Sequence, residues 1–207
     1  PQSALDVPFP TERPKGSCVY ISSPIRGLAD LIKLWPFIRS SFPEATLKVY
    51  YGWETLKGAP GMAKAQVEQD KAIRRTAGVQ HVGRVSQFAL EQELMNHSLW
   101  TYPVWQFPEG FCIAGIRAAA AGLVPVYVRT AAMPEIQYPT AYSTPQKDWT
   151  QGGGNEYAAV LLQALQDERD GKITNDTRQE YRDWAERWTW DRCATALEAE
   201  LQRRKDG

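Results

Sequence analysis

The chain has 207 residues, of which 43% are hydrophobic and 23% are charged, a balance typical of a folded domain and not of a disordered segment. Basic and acidic residues number 24 each, and this zero net charge excludes a protein that binds nucleic acid through general attraction to its backbone. Because no run of about 18 apolar residues occurs, we expect no transmembrane segment.

The proline-rich residues 1–16 predict a linker or N-terminal extension, and they lack the charged start and apolar centre of a signal peptide. Residues 17–207 are expected to form one domain with its own core. The cysteines Cys18, Cys112 and Cys193 are far apart and odd in number. We therefore expect neither a metal site nor a disulfide scaffold, and a cytoplasmic location.

Short runs of β-branched and aromatic residues alternate with helical patterns through the first two thirds of the chain. The predicted strands are 18–22, 47–51, 79–82, 99–102 and 124–128. The predicted helices are 28–38, 62–77, 86–95 and 111–121. Pro36 should kink the first helix or make it restart, and Ser86 should cap the third.

The remaining third of the chain begins with residues 139–154, whose prolines and glycines predict a loop. A helix is then predicted over 156–169. Thr177 and Glu180 have the spacing of a capping box, which predicts the start of a further helix. After a break near Thr189, a final helix is expected.

Strands that alternate with helices predict the α/β class: a single Rossmann-like domain whose parallel sheet has about five or six strands and helices on both faces. Ligands of such sheets bind beyond the carboxyl ends of the strands. The loops that follow the strands are therefore the places to look for a site.

The loop after the first strand, Ser22 to Gly27, combines a glycine with an arginine ahead of a helix. Glycine permits close backbone approach, a helix N-terminus attracts anions, and Arg26 can grip phosphate oxygens with two donors. Ser23, Arg26 and Gly27 are therefore candidates for phosphate binding. The alternative is a polar turn with a solvent-facing arginine. A GxGxxG pattern is absent, so nothing indicates a nicotinamide dinucleotide.

A second candidate site lies at Glu109, where a carboxylate precedes a helix that follows a strand. Its simplest role is to stabilise the helix dipole. In a functional role, the amides of Phe111 and Cys112 would bind a phosphate and Glu109 would accept hydrogen bonds from sugar hydroxyls. Arg117 lies eight residues further on, roughly 12 Å along the helix, which suits the far end of an elongated ligand.

Other residue types with chemical potential have ordinary explanations. His81 and His97 are expected at a strand end and a helix end, without catalytic partners. Cys112 at a helix N-terminus could have a lowered pKa, but no histidine pattern supports a thiol enzyme. Three aromatic residues around the fourth strand are expected to form core and rim, not a sugar platform: Trp100, Tyr102 and Trp105.

Three segments of this chain resemble the C-terminal, donor-binding domain of the retaining GT-B glycosyltransferases of family four, also called group one. They are Tyr20 to Leu28, Leu47 to Gly52, and Glu109 to Gly122 with Met133-Pro-Glu135 after the next strand. Their order and spacing agree over about 115 residues. The resemblance implies half of a GT-B fold.

The resemblance also implies a donor site for a nucleotide-diphosphate-sugar. Arg26 would hold the diphosphate, and Glu109 would bind the transferred sugar, so these two are the expected catalytic residues. The resemblance places the other donor contacts at Ser23, Gly27, Gly52, Gly83, Arg84, Gly110, Phe111, Cys112, Ile113 and Arg117. Gly83 and Arg84 would lie near the nucleobase. The implied reaction is a sugar transfer without metal or other cofactor.

Two departures from the family pattern bear on activity. The family helix carries a second glutamate where this chain has Arg117, and an arginine cannot accept from ribose hydroxyls. The family also has an N-terminal Rossmann domain, for which this chain has no room. We expect a hexosyltransferase whose chain is incomplete or inactive alone, with an unknown acceptor and a missing domain or partner chain. The alternative is a nucleotide-sugar or carbohydrate binding module without turnover.

Overall fold

The computed structural model describes residues 5–136 and 142–206, which form an α/β domain around one sheet. Six parallel strands make up this sheet, in the order β3-β2-β1-β4-β5-β6. They are β1 (Ser17–Tyr20), β2 (Thr46–Val49), β3 (Val79–His81), β4 (Leu99–Tyr102), β5 (Val124–Arg129) and β6 (Tyr142–Pro145).

The helices that connect and follow these strands occur in the order that the sequence pattern predicts, with one short helix, α5, in addition. They are α1 (Leu28–Ser41), α2 (Met62–Arg75), α3 (Gln87–Leu94), α4 (Ile113–Ala120), α5 (Met133–Ile136), α6 (Gly153–Arg169), α7 (Asn175–Ala185) and α8 (Trp190–Asp206). Ser86 caps α3 as predicted, because its hydroxyl accepts a hydrogen bond from the Ala89 amide.

Both faces of the sheet are covered by helices. Every residue of the central strands β1 and β4 is buried, which requires packing on each side of them. Helix α1 packs against α2 and α6, while α4 packs against α7. The predicted single Rossmann-like domain with a parallel sheet is therefore confirmed.

The strand order places the site. From β1 the chain proceeds outward to β2 and β3, then returns to β4 and proceeds the other way to β5 and β6. The loops after β1 and β4 therefore diverge from adjacent strands and leave a crevice between them, which is where open α/β sheets bind ligands.

The sixth strand was not predicted, because residues 139–154 have the prolines and glycines of a loop. In the structure, Tyr142–Pro145 pairs with β5, and helix α6 begins already at Gly153. The exposed edge of β5 supplies hydrogen-bond partners that no local pattern reveals. Residues 139–141 of the predicted loop lie outside the described residues.

Two helix predictions differ from the structure in detail. Pro36 was expected to kink its helix or make it restart, and the restart does not occur, because α1 runs continuously through it. Trp35 and Ile38 on either side are fully buried, so packing on the core outweighs the one backbone hydrogen bond that proline removes. Likewise Thr177 is not the cap of α7, because the cap is Thr174, whose hydroxyl accepts from the Thr177 amide.

Residues 5–16 of the predicted linker or extension pack against the domain. Arg13 donates to the carbonyls of His97 (2.7 Å) and Ala121, and Asn175 donates to the carbonyl of Thr11 (2.8 Å). These contacts hold the segment across the loops that precede β4 and β5. Over the ranges that the structure describes, no helix combines the length and apolarity that a membrane span needs.

Candidate functional site

A cleft of about 230 Å³ lies between the loops that follow β1 and β4. It brings together half of the predicted site residues from two separate parts of the sequence. Those that line it are Ser23, Arg26, Glu109, Phe111, Cys112 and Ile113. The crevice at the reversal of strand order therefore contains six of the residues that the sequence singled out, together with others that it did not.

Glu109 lines the cleft, and its side chain has two hydrogen-bond partners. Arg26 Nη1 lies 3.3 Å from Glu109 Oε2, and the Tyr102 hydroxyl donates to the same oxygen at 2.6 Å. The Arg26 side chain remains 31% exposed, against 14% for Glu109. Arg26 therefore keeps guanidinium donors accessible to a ligand while the carboxylate is held in place.

The loop that carries Arg26 is held by a buried tyrosine. The hydroxyl of Tyr20 in β1 donates to the backbone carbonyls of Ser23 (2.7 Å) and Arg26 (3.1 Å). Gly27 then starts α1 with φ of 89°, and any β-carbon there would collide with the Pro103 carbonyl. Only glycine suits that position, so the loop of Arg26 is fixed against the loop after β4.

The loop that carries Glu109 is held from the ends of β5 and β6. The Ala132 amide donates to the Glu109 carbonyl at 3.0 Å. Buried Thr130 donates to Gln146 (3.0 Å), whose amide in turn donates to the Trp105 carbonyl (2.8 Å). Ala131, which lies between Thr130 and Ala132, has a positive φ of 45°. This backbone conformation is strained for a residue other than glycine, and the hydrogen bonds of its two neighbours hold it in place.

Two backbone amides ahead of α4 belong to residues that line the cleft. The amides of Phe111 and Cys112 have no hydrogen-bond partner among residues 5–136 and 142–206. The amide of Ile113 differs, because it donates to the Phe111 carbonyl at 3.0 Å. The helix begins at Ile113 and not at Phe111 as predicted, so the two free amides lie just before its first turn.

The cysteine at this helix start is not activated. Burial raises the pKa of the Cys112 thiol to about 12, and the negative charge of Glu109 acts in the same direction. The suggestion of a lowered pKa at a helix N-terminus was therefore wrong, because desolvation outweighs the helix dipole here. Burial also raises the pKa of Tyr102, which keeps this hydroxyl protonated and donating to Glu109.

The remaining predicted site residues do not line this cleft. Gly27 borders a neighbouring groove, and Gly52 is buried after β2 with the Glu54 carboxylate beside it. Gly83 has a positive φ of 85° in the loop after β3, where Arg84 is exposed. The other two are Gly110, exposed ahead of α4, and Arg117, part-buried on α4 with its Nε lacking a partner among the described residues.

Tyr102 was not predicted as a site residue and was expected only in the core or at its rim. Its ring is buried against Trp100, as expected, but its hydroxyl reaches the cleft and contacts Glu109. Its position as the last residue of β4 was the available signal. Tyr51 and Ser22, which also end or follow strands, line the cleft as well.

The two histidines lie outside the cleft, as predicted. His81 is exposed at the end of β3, and His97 is buried before β4. No group of three or more His, Cys, Asp or Glu side chains that could hold a metal ion occurs in the described parts of the chain.

Comparisons by sequence gave no relatives: no family model and no curated protein matches the chain. Comparisons by structure gave many. The pneumococcal O-GlcNAc transferase GtfA, solved with UDP and GlcNAc, has a TM-score of 0.67 at 16% identity over 94% of this chain. Anabaena HepE, solved with UDP and glucose, has a TM-score of 0.67 at 16% identity over 92%.

Sucrose-phosphate synthase from Thermosynechococcus elongatus is similar too, with a TM-score of 0.65 at 17% identity over 99% of this chain. The chain spans 37%, 48% and 47% of GtfA, HepE and the synthase, which is less than half of each. These neighbours are GT-B glycosyltransferases, so the predicted half of a GT-B fold is confirmed. At such low identity the likeness shows the fold and not the substrate.

Proposed function

We propose that this chain is the donor-binding half of a glycosyltransferase, which holds a nucleotide-diphosphate-sugar in the cleft between the loops after β1 and β4. The observation that carries the proposal is the pairing of Arg26 with Glu109 beside the free amides of Phe111 and Cys112. A fixed cation and two amides suit a diphosphate, and a carboxylate suits sugar hydroxyls.

In this proposal Arg26 and the two amides take the diphosphate. Both kinds of donor are preorganised, since Tyr20 fixes the backbone of the first loop and Ala132 that of the second. When the bond between the sugar and the diphosphate breaks, negative charge grows on the leaving phosphate oxygen. Donors already aimed at that oxygen stabilise the transition state without a metal ion.

Glu109 binds the sugar that is transferred, a hexose in this proposal. Both protein hydrogen bonds end on its Oε2, and no described residue donates to Oε1. Oε1 is therefore available to accept from a sugar hydroxyl, while Tyr102 keeps the carboxylate in one orientation. The acceptor hydroxyl oxygen forms its bond to the anomeric carbon as the diphosphate departs with the bonding electron pair, and the hydroxyl proton passes to the departing phosphate oxygen.

Thermal unfolding tests donor binding directly. We expect UDP-glucose or UDP-GlcNAc, at about 100 times its dissociation constant, to add about 2.7 kcal/mol of stability and raise Tm by roughly 5–10 °C. Arg26→Ala should weaken binding about ten- to a hundredfold, because it removes charge-assisted hydrogen bonds to phosphate. Titration calorimetry with UDP gives the two dissociation constants.

Lys33→Ala is the matched control, since Lys33 is an exposed cation on α1 outside the cleft. It should leave the UDP affinity unchanged. Two results would contradict the proposed donor site. One is equal UDP affinity in Arg26→Ala and the unaltered chain. The other is the absence of any Tm increase in the unaltered chain with UDP, GDP, ADP or their sugar conjugates.

The acceptor side of the cleft is proposed to come from a second Rossmann domain, on the same polypeptide or on a partner chain. Helix α8 supports this, since it has no buried residue and yet carries a stripe of apolar side chains. Trp190, Leu197 and Leu201 on that stripe are 64%, 61% and 52% exposed. Their spacing places them on one helix face, which is typical of a surface that another domain covers.

The same substitution in two contexts tests this surface. Leu197→Lys should leave the Tm of this chain unchanged, because the side chain is exposed. In an assembly that contains the second domain it should lower Tm by several degrees, because a charge would enter an apolar interface. Leu161→Lys, at a fully buried position, should destabilise both. An unchanged Tm for Leu197→Lys in the assembly would exclude α8 as the contact.

Arg117 favours a second candidate function, a nucleotide-sugar binding module without turnover. It occupies the position at which the family has a ribose-binding glutamate, does not line the cleft, and leaves its Nε without a described partner. Donor binding without sugar release, even in the presence of a second domain, would favour this module. Transfer restored by Arg117→Glu would identify the substitution as the cause.

A further inference from the structure

The donor cleft by itself does not balance the charge of the ligand proposed for it. Among the described residues that line the cleft, only Arg26 and Glu109 carry a charge, and these two charges cancel. A sugar diphosphate brings one negative charge on each of its two phosphates. The free amides offer hydrogen bonds without a full charge, so a further cation beside the cleft would stabilise the ligand most.

The open face of α4 continues one wall of the cleft. Five of the eight residues of this helix are buried, and the three that are not buried are Ile113, Ala114 and Arg117. Ile113 and Ala114 line the cleft. Arg117 follows them by four and three residues, which places it on the same side of the helix and roughly 4.5–6 Å further along the axis. Arg117 therefore lies at the edge of the cleft, just beyond the residues that line it.

The Arg117 side chain has no partner within the protein. Its guanidinium makes no hydrogen bond or ion pair with the described residues, and while its Nε is buried, its two Nη atoms keep contact with solvent. Side chains of a helix lean toward its N-terminus and cover the preceding turn, which here is the turn of Ile113 and Ala114. A part-buried cation without a counter-charge is unfavourable in the free protein, so it gains strongly from an anion that binds beside it.

The positions of the two arginines assign them to different phosphates. Arg26 Nη1 is 3.3 Å from Glu109, the proposed sugar-binding carboxylate, so Arg26 belongs to the phosphate attached to the sugar. Arg117 lies about one helix turn beyond Ile113, on the far side of the free amides. We propose that Arg117 binds the phosphate attached to the nucleoside, so that each phosphate has its own guanidinium; this rests on the proposed function. An arginine has only donors, which suits phosphate oxygens and cannot accept from ribose hydroxyls.

Titration calorimetry of the whole chain with UDP and UMP tests this assignment, because UMP has only the phosphate attached to the nucleoside. Arg117→Ala should weaken the binding of both nucleotides about ten- to a hundredfold, the effect of losing charge-assisted hydrogen bonds. Arg26→Ala should weaken UDP binding by as much and leave UMP binding nearly unchanged. Arg117→Lys keeps the charge and should retain most of the affinity. Arg75→Ala, which removes an exposed arginine of α2 outside the cleft, is the matched control and should bind both nucleotides normally.

The UDP results separate this inference from the proposed donor site. Equal UDP affinity in Arg117→Ala and the unaltered chain, together with a loss in Arg26→Ala, would overturn the role of Arg117 and leave the donor site standing. Weaker UDP binding with unchanged UMP binding in Arg117→Ala would also overturn the assignment, since it would place Arg117 at the other phosphate. The absence of UDP, GDP and ADP binding by the unaltered chain would overturn both, and GMP or AMP replaces UMP if another base is preferred.

The Tm of the unliganded variants excludes a merely structural role. Arg117→Ala should unfold at the same temperature as the unaltered chain, because its side chain has no protein partner to lose. A lower Tm in Arg117→Ala, with Arg117→Lys binding UDP as weakly as the alanine variant, would show that Arg117 supports the fold and would overturn the inference.

Discussion

Arg178→Ala is expected to destabilise the domain by about 3–5 kcal/mol, because it leaves a carboxylate buried without its partner. Arg178 and Glu168 are each only 5% exposed at the side chain and 2.7 Å apart. Arg178 also donates to the Ser98 carbonyl at 2.8 Å and to its hydroxyl at 2.7 Å. The substitution therefore removes the link between α6, α7 and the start of β4.

Burial acts against both charges of this pair, since it raises the pKa of Glu168 and lowers that of Arg178. The pair is thus kept by its mutual attraction and its hydrogen bonds. Chemical denaturation should show that the double variant Arg178→Ala, Glu168→Ala loses less stability than the sum of the single variants. Arg203→Ala, which removes an exposed pair with Glu200, is the control and should not change the midpoint. Additive losses at the buried pair would refute the coupling.

Acidification from pH 6.5 to 4 is expected to reduce the stability of the domain by about 3 kcal/mol through His97 alone. Each tenfold difference in the proton affinity of this histidine between the folded and the unfolded chain corresponds to about 1.4 kcal/mol. Burial lowers the pKa of His97 from 6.5 to about 4, with Lys48 and Arg13 opposing a further positive charge and Glu93 favouring it. The ring contacts Ser17 (2.6 Å) and Tyr50 (3.0 Å), which hold it neutral in the core.

The sign follows from which state binds the proton. Below pH 6.5 the unfolded chain protonates His97 while the folded chain does not, so unfolding is favoured as pH falls towards 4. Denaturation midpoints across this range should decline steeply in the unaltered chain and less in His97→Gln, which cannot titrate. His81→Gln, at the exposed histidine, is the control and should follow the unaltered profile. The same decline in His97→Gln would assign the acid sensitivity to other groups.

The sequence by itself determined the fold class and indicated six of the residues that line the cleft. Alternation of valine-rich strands with helical patterns specifies a parallel sheet, since buried parallel strands have no polar face. This pattern predicted both ends of four strands to within two residues of their observed positions, and it predicted the bounds of β4 as they are observed. Arg26 and Glu109 were identifiable because each follows a strand and precedes a helix, where parallel sheets bind anions.

Only the tertiary structure decided features that depend on groups distant in sequence. β6 forms because β5 has a free edge, and α1 passes through Pro36 because Trp35 and Ile38 are buried on both sides of it. Cys112 is inert because burial raises its pKa, against the tendency of a helix start. Tyr102 reaches Glu109 only once β4 places its hydroxyl at the crevice. Local patterns encode which elements form, whereas burial and long-range contacts settle how each side chain behaves.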